Sequence, residues 1–422
     1  MYRMKRILLT TLFCGLLVPA FAGDIADIVK SGEIWKKNRQ QLSAGALNGV
    51  RYAPVDADTI RVPRNGGIQL SELDFGEAVI SWQPNKGPTQ SVVIMVYNKG
   101  DDSAIDRESY METLQQTITA LNELMQTKGK SRKASKKDTG VSLQSWVWET
   151  EGTYVRLDAS YTGRKKDFSP EFIRLKMGPD KDSVVGGGAD DTAKRNDLKA
   201  NVQRDEESGD VWISIPMVDQ GQKGYCVPAT VARVFAYYGM DGVDQHALAQ
   251  LCDSSGDEGT SYAAMQEALE SISRKFHIRM QMLDGKDIRS TCMEYIADYN
   301  KAAKKLKKQQ ATPMDWIEVC RDRQVLLAAR GNKKYVKKWF SAIKKSLDVG
   351  VPILWSVELG IFPEAGIPQA GGGHMRLIVG YNEEDGTIYY SDSWGAGHEK
   401  KAMKMNQAAA ITRYRYILRP SR

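Results

Sequence analysis

The chain has 422 residues, five cysteines and a formal charge of +7, from 59 Lys and Arg against 52 Asp and Glu. That length exceeds one ordinary core, so two domains are the expectation. The mild charge implies no nucleic-acid partner, and five cysteines are too few for a disulfide scaffold.

The chain opens with Lys5 and Arg6, an apolar run from Ile7 to Val18, and Ala20-Phe21-Ala22. A positive start, a short apolar segment and a small-x-small site read as a secretory signal peptide cleaved after Ala22. The run is well short of the roughly 20 apolar residues that span a bilayer. Cys14 follows bulky Phe13, where a lipoprotein site wants a small residue. The expected mature protein is therefore soluble and exported, periplasmic or extracellular, with no transmembrane segment. Loss of Arg3, Lys5 and Arg6 takes the formal charge from +7 to +4. Of the remaining cysteines, Cys226, Cys252, Cys292 and Cys320, one is reserved for chemistry below. At most one internal pair then forms, with Cys292 and Cys320 the candidate.

Residues 23–183 pattern as a first α+β unit. A helical stretch runs from Asp24 to about Leu42, and strand-like runs follow at Glu77–Trp82 and Ser91–Tyr97. Tyr110, Leu114, Ile118, Leu121 and Met125 recur at steps of three and four, one face of an amphipathic helix. Val155, Leu157, Ala159 and Tyr161 alternate with polar residues, as do Ile173, Leu175 and Met177, predicting strands. Glu151-Gly152 is the expected turn joining two of these strands. No His or Cys lies between Gly23 and Cys226, so this unit carries no catalytic set. Its basic loop KGKSRKASKKDTG, from Lys128, reads as a solvated hairpin loop or as a dock for a surface or polyanion. Residues 184–210 are rich in Gly, Asp, Lys and Glu and read as a linker. The second unit spans 211–422.

The second unit holds the stretch QGQKGYC, residues 220–226, followed by Pro228 and by Val227, Val231, Val234, Phe235 and Tyr238 at helical spacing. Proline is tolerated in a first helical turn, and Gly239 marks the helix stop. Cys226 is thus placed at a helix N-terminus, where the dipole and free N–H groups favour a thiolate. Gly221 and Gly224 permit a tight turn. Gln220, six residues upstream, offers an amide donor, and an amide plus backbone N–H groups is one recipe for an oxyanion hole.

A thiolate nucleophile needs a base. His246 and His277 fall in or near helical stretches and read as structural or exposed, and His398 lies in a polar segment. His374 follows a glycine run and opens the apolar strand GGGHMRLIVGYN. A second strand, TIYYSDSWG, follows the turn at Asp385-Gly386. A hairpin centred near Glu383 would set His374 opposite Asp392 on one sheet face. Asp392 would then hold the imidazole tautomer, and Trp394 would shield the pair from water.

QGxxGxC before a helix, Gly-His on a strand, and (Asp/Asn)-Ser-Trp-Gly together resemble the papain-like cysteine peptidase fold. Within it, GYCVPATVARVFAYYG and an acid at 392 are most similar to the bacterial double-glycine (bacteriocin-leader) peptidase-like families. The resemblance covers about residues 211–422. It implies Cys226 as nucleophile, His374 as general base and acid, Asp392 as its orienter and Gln220 as oxyanion donor. It also implies a helix carrying the cysteine packed on an antiparallel sheet carrying His and Asp, and a peptide or protein substrate. No metal or organic cofactor is expected. Val227 stands where papain itself has Trp, which separates their subsite preferences. No exporter membrane domain accompanies the peptidase, so leader cleavage coupled to transport is not expected.

Other readings stay open at this level. A transglutaminase-like acyl transferase or amide hydrolase uses the same residue types in the same order. A binding or adhesion protein on a silent peptidase scaffold is the alternative from another class. EGTSYAAMQEALESI, capped by Thr260 or Ser261, resembles a cleft-lining helix entry, and the lysine clusters KKLKK and KKYVKK read as solvated helix faces. The first unit could inhibit the peptidase as a prodomain or serve as a docking module. The docking reading is preferred, because an inhibitory extension needs a segment threading the cleft.

Overall fold

The computed structural model describes residues 23–133, 141–163, 167–185, 197–240, 242–254, 260, 262–312 and 320–421. Residues 1–22, read above as a leader, part of the basic loop, Ser261 and much of the Gly-rich stretch lie outside them. Among the described residues, no helix is long and apolar enough to cross a membrane.

The first unit is an antiparallel sheet with a helix laid on it. Its strands are β1 (Ala53–Pro54), β2 (Thr59–Val62), β3 (Glu77–Trp82), β4 (Thr89–Asn98), β5 (Lys130–Lys133), β6 (Gln144–Thr150), β7 (Thr153–Thr162) and β8 (Ser169–Gly178). Their order is β1-β2-β3-β4-β8-β7-β6-β5. The amphipathic helix is Arg107–Met125, and Asp106 caps it by accepting from the Ser109 N–H. Tyr110, Leu114, Leu121 and Met125 are buried in the core, as the spacing predicts. Gly152 turns the chain between β6 and β7 with φ +82°, a conformation that favours glycine. The single opening helix expected over 24–42 is instead three short pieces, broken at Gly32 (φ +71°) and at Asn38, whose side chain starts a new helix.

The second sheet contains β9 (Gln203–Arg204), β10 (Asp210–Trp212), β11 (Ile278–Met282), β12 (Ile353–Leu359), β13 (Gly372–Asn382), β14 (Thr387–Ser391), β15 (Lys401–Lys404) and β16 (Thr412–Pro420). The path β11-β16-β12-β13-β10-β9 is extended by β14 on β13 and β15 on β14. Helix Cys226–Tyr237 packs its apolar residues into the core of this sheet, which also takes in Leu198. The second sheet's packing therefore reaches back to residue 198. Mixed helix and antiparallel strand make both units α+β, with the cysteine helix lying against the strand that carries His374. Cys226, Cys252, Cys292 and Cys320 all remain thiols, so the expected Cys292–Cys320 disulfide is not formed.

Candidate active site

Cys226 is the first residue of its helix, and no side chain caps that end. Thr230, one turn on, donates to the Met375 carbonyl at 3.2 Å and ties the helix to β13 beside His374. Burial alone would push the Cys226 thiol up. The His374 imidazole outweighs it, helped by the Met375 and Val227 N–H groups, and the net shift is downward. Cys252, buried without such partners, is pushed up to about 12.

His374 and Asp392 come together as the sequence predicts, but not by the expected register. In the β13–β14 hairpin Leu377 faces Ser391, with a bulge between Ile378 and Gly380. Continuing that register sets Asp392 opposite Arg376, and His374 is the diagonal neighbour on the same face. The turn falls later in the chain than expected, with Asn382 paired to Thr387, which carries the register past His374, and the extra residue of the bulge takes back one position. His374 Nε2 still lies 3.0 Å from Asp392 Oδ1. Its Nδ1 makes no full hydrogen bond among the described residues, yet the ring is close enough to the thiol to lower its pKa. Trp394 stacks on the imidazole at 4.2 Å with planes 8° apart, covering it as expected. Burial would lower the His374 pKa, but Asp392 and Cys226 together raise it.

Asp392 is fully buried. Desolvation would favour its protonated form. Arg376 overcomes this, with His374 adding to it, and the carboxyl is held down at about 2. Arg376 was not anticipated, although it sits two residues past His374 and so on the same face of the strand. Its far side is balanced by Glu364, which accepts from Arg376 Nη1 at 2.8 Å and from the Tyr390 hydroxyl at 2.6 Å. Arg233, on the cysteine helix, donates to the Asp392 carbonyl at 2.8 Å, the Ser391 hydroxyl at 2.5 Å and the Pro216 carbonyl at 2.9 Å. One buried guanidinium thus joins the helix, the Asp392 strand end and the segment leading to Gln220. His398 is nearer to the site than its polar context implied, with Nδ1 4.0 Å from Asp392 Oδ2.

Gln220 is buried. Its Oε1 accepts from the Ser393 hydroxyl at 2.7 Å, and its Nε2 donates to the Lys223 carbonyl at 3.0 Å. An amide nitrogen carries two hydrogens, so one donor remains after that bond. Ser393 was visible only as part of the SDSWG stretch, and nothing in the sequence linked it to Gln220. His246 is buried and His277 exposed, and neither joins the constellation.

Residues 212–421 match the model of the Peptidase_C39 like family. This half of the chain belongs to that family. It is a papain-like cysteine peptidase domain, and its substrates are peptides or proteins. Among solved structures, xylellain, a cysteine protease from Xylella fastidiosa, aligns at 12% identity with a TM-score of 0.22, over 55% of this chain and 92% of that one. No curated protein matches the chain in sequence.

Proposed function

We propose that the protein is an exported cysteine peptidase that cleaves peptide bonds through Cys226, His374 and Asp392, with Gln220 as oxyanion donor. The observation that carries this reading is the His374 ring. Asp392 takes its Nε2 at 3.0 Å, which leaves Nδ1 as the nitrogen for the Cys226 thiol. The thiolate attacks the substrate carbonyl carbon, and the imidazolium then gives its proton to the leaving amine. Water, deprotonated by the same imidazole, releases the acyl group and restores the thiol. The negative oxygen of each tetrahedral intermediate is met by the uncapped N-terminus of the Cys226 helix and the spare Gln220 N–H. The Arg376 guanidinium, with His374, keeps buried Asp392 ionised, so it stabilises imidazolium without taking a proton.

Export rests on the leader pattern ending at Ala22, and places the mature chain in the periplasm or outside the cell. The reading is tested by labelling with a thiol-directed peptide electrophile and mapping the modified residue. Modification at Cys226 is expected. Modification first at Cys252, Cys292 or Cys320 in the folded protein would overturn it.

A further inference from the structure

The loop that carries Gln220 is not held by the peptidase unit alone. Lys223 has a fully buried side chain, and its Nζ lies 3.0 Å from Glu77 Oε1 and 2.5 Å from Asp101 Oδ2, both in the first unit. Arg61 of β2 donates from Nε to Asp219 Oδ2 at 2.7 Å, fixing the other end of the same loop. Between them Gly221 has φ +70°, and a Cβ there would stand 3.3 Å from Lys223 Nζ and 3.4 Å from Arg61 Nη1. Tyr225, next to the nucleophile, donates to Asn98 Oδ1 at 3.1 Å. Its ring occupies the space beside Gly100, where a Cβ would come within 2.6 Å of it. The loop after Trp394 is tied as well, since the Ala396 N–H donates to the Pro54 carbonyl at 3.1 Å.

One backbone atom connects this anchorage to the chemistry. The Lys223 carbonyl accepts both the Gln220 side-chain amide, at 3.0 Å, and the Tyr225 N–H, at 2.7 Å. We propose that Lys223 is a positioning residue through which the first unit holds the Gln220 amide, so that peptide-bond cleavage requires both units. The inference rests on the reading of Gln220 as an oxyanion donor. A buried ion pair adds little net stability but fixes geometry when its partners are fully satisfied. Here Lys223 has two acids around its ammonium, and Arg61 balances Asp219 and faces Glu77 at 3.6 Å. Without that anchor the carbonyl at 223 is free to rotate, and the amide it holds loses its aim. The first unit is then part of the catalytic frame, rather than a separable docking module or an inhibitor.

The test compares Lys223→Met, Gln220→Ala and the double variant in the full mature chain, with an amide peptide substrate and with alkylation of Cys226. Gln220→Ala should lower kcat by about 10²–10³, the cost of one oxyanion donor. Lys223→Met should lower kcat at least ~10-fold with KM within ~2-fold, the pattern of an interaction made in the transition state. Cys226 alkylation and its pH dependence should be unchanged. The double variant should be no slower than Gln220→Ala alone, because both act through one group. Asp101→Asn leaves Glu77 on the ammonium and should give a smaller loss, about 3-fold, again in kcat and not in KM, if Lys223→Met does not fold. Wild-type kcat in the folded variants would overturn the proposal. So would a loss that multiplies onto Gln220→Ala, or parallel slowing of alkylation. If Gln220→Ala itself has no effect, the oxyanion reading fails and the Lys223 link with it. A Gln220 effect without a Lys223 effect removes only the link.

Discussion

Arg376 grips both carboxylate oxygens of Asp392, Nε to Oδ1 at 2.8 Å and Nη2 to Oδ2 at 3.2 Å, while His374 Nε2 shares that Oδ1 at 3.0 Å. The acid that orients the imidazole is thus also the counter-ion of a buried arginine. Asp392→Asn keeps a hydrogen-bond acceptor for His374 but leaves Arg376 with Glu364 alone. Breaking one side of a buried pair costs up to about 3–5 kcal/mol. Asp392→Asn should therefore retain measurable turnover yet lose several degrees of thermal midpoint, and Asp392→Ala should lose both. Calorimetry alongside peptide cleavage separates the two effects. Asn with unchanged stability would remove the Arg376 argument.

Cys226 and His374 shift in opposite directions, the thiol down and the imidazole up. Both shifts favour the thiolate–imidazolium pair over the neutral pair, and the expected kcat/KM profile is bell-shaped. Its acid limb follows thiol ionisation and its alkaline limb loss of the imidazolium proton. Alkylation of Cys226 should be fast below the ordinary thiol value of about 8.5. In His374→Ala the burial that opposes the thiolate stays while its main stabiliser goes, so that midpoint should rise past the ordinary value. Rate against pH with iodoacetamide, read by mass spectrometry, checks both.

Ser393 donates to Gln220 Oε1 and so decides which end of the amide offers hydrogens. Ser393→Ala removes one hydrogen bond worth about 1 kcal/mol, so kcat should fall about fivefold with KM little changed. A rise in KM larger than the fall in kcat would mean that Ser393 contacts substrate instead.

His246 gives the fold an acid sensitivity of its own, apart from the titration of Cys226 and His374. It sits between the units, with Glu77 Oε1 at 3.9 Å and the Tyr225 ring at 6.0 Å, and Asp244, Lys223, Arg174 and Asp101 act on it. Burial outweighs its acidic neighbours and lowers its pKa to about 3. Unfolded chains take up the proton near 6.5 and the native state only near 3, so stability is lost as pH falls through that window. Thermal midpoints from pH 7 to 4 should drop less steeply in His246→Gln than in the wild-type chain. Parallel slopes would exclude His246 as the cause.

The sequence by itself determined the elements and the residue types of the site. Periodicity set Arg107–Met125 and the helix opening at Cys226, because one apolar face must be buried whatever lies opposite. The glycine run before His374 and the Asp392-Ser393-Trp394 stretch marked the other members by local context alone. Register lay beyond it: the turn falls later than expected and a bulge near Val379 takes back only one position, so that Arg376, not His374, lies across from Asp392. Nor could it show that Ser393 reaches Gln220 across 173 positions, or Lys223 reaches Glu77 across 146. A lysine in a polar loop and a glutamate on a strand look alike whether solvated or paired. Only packing of the two units, which removes water from both charges at once, turns that pair into a fixed point of the site.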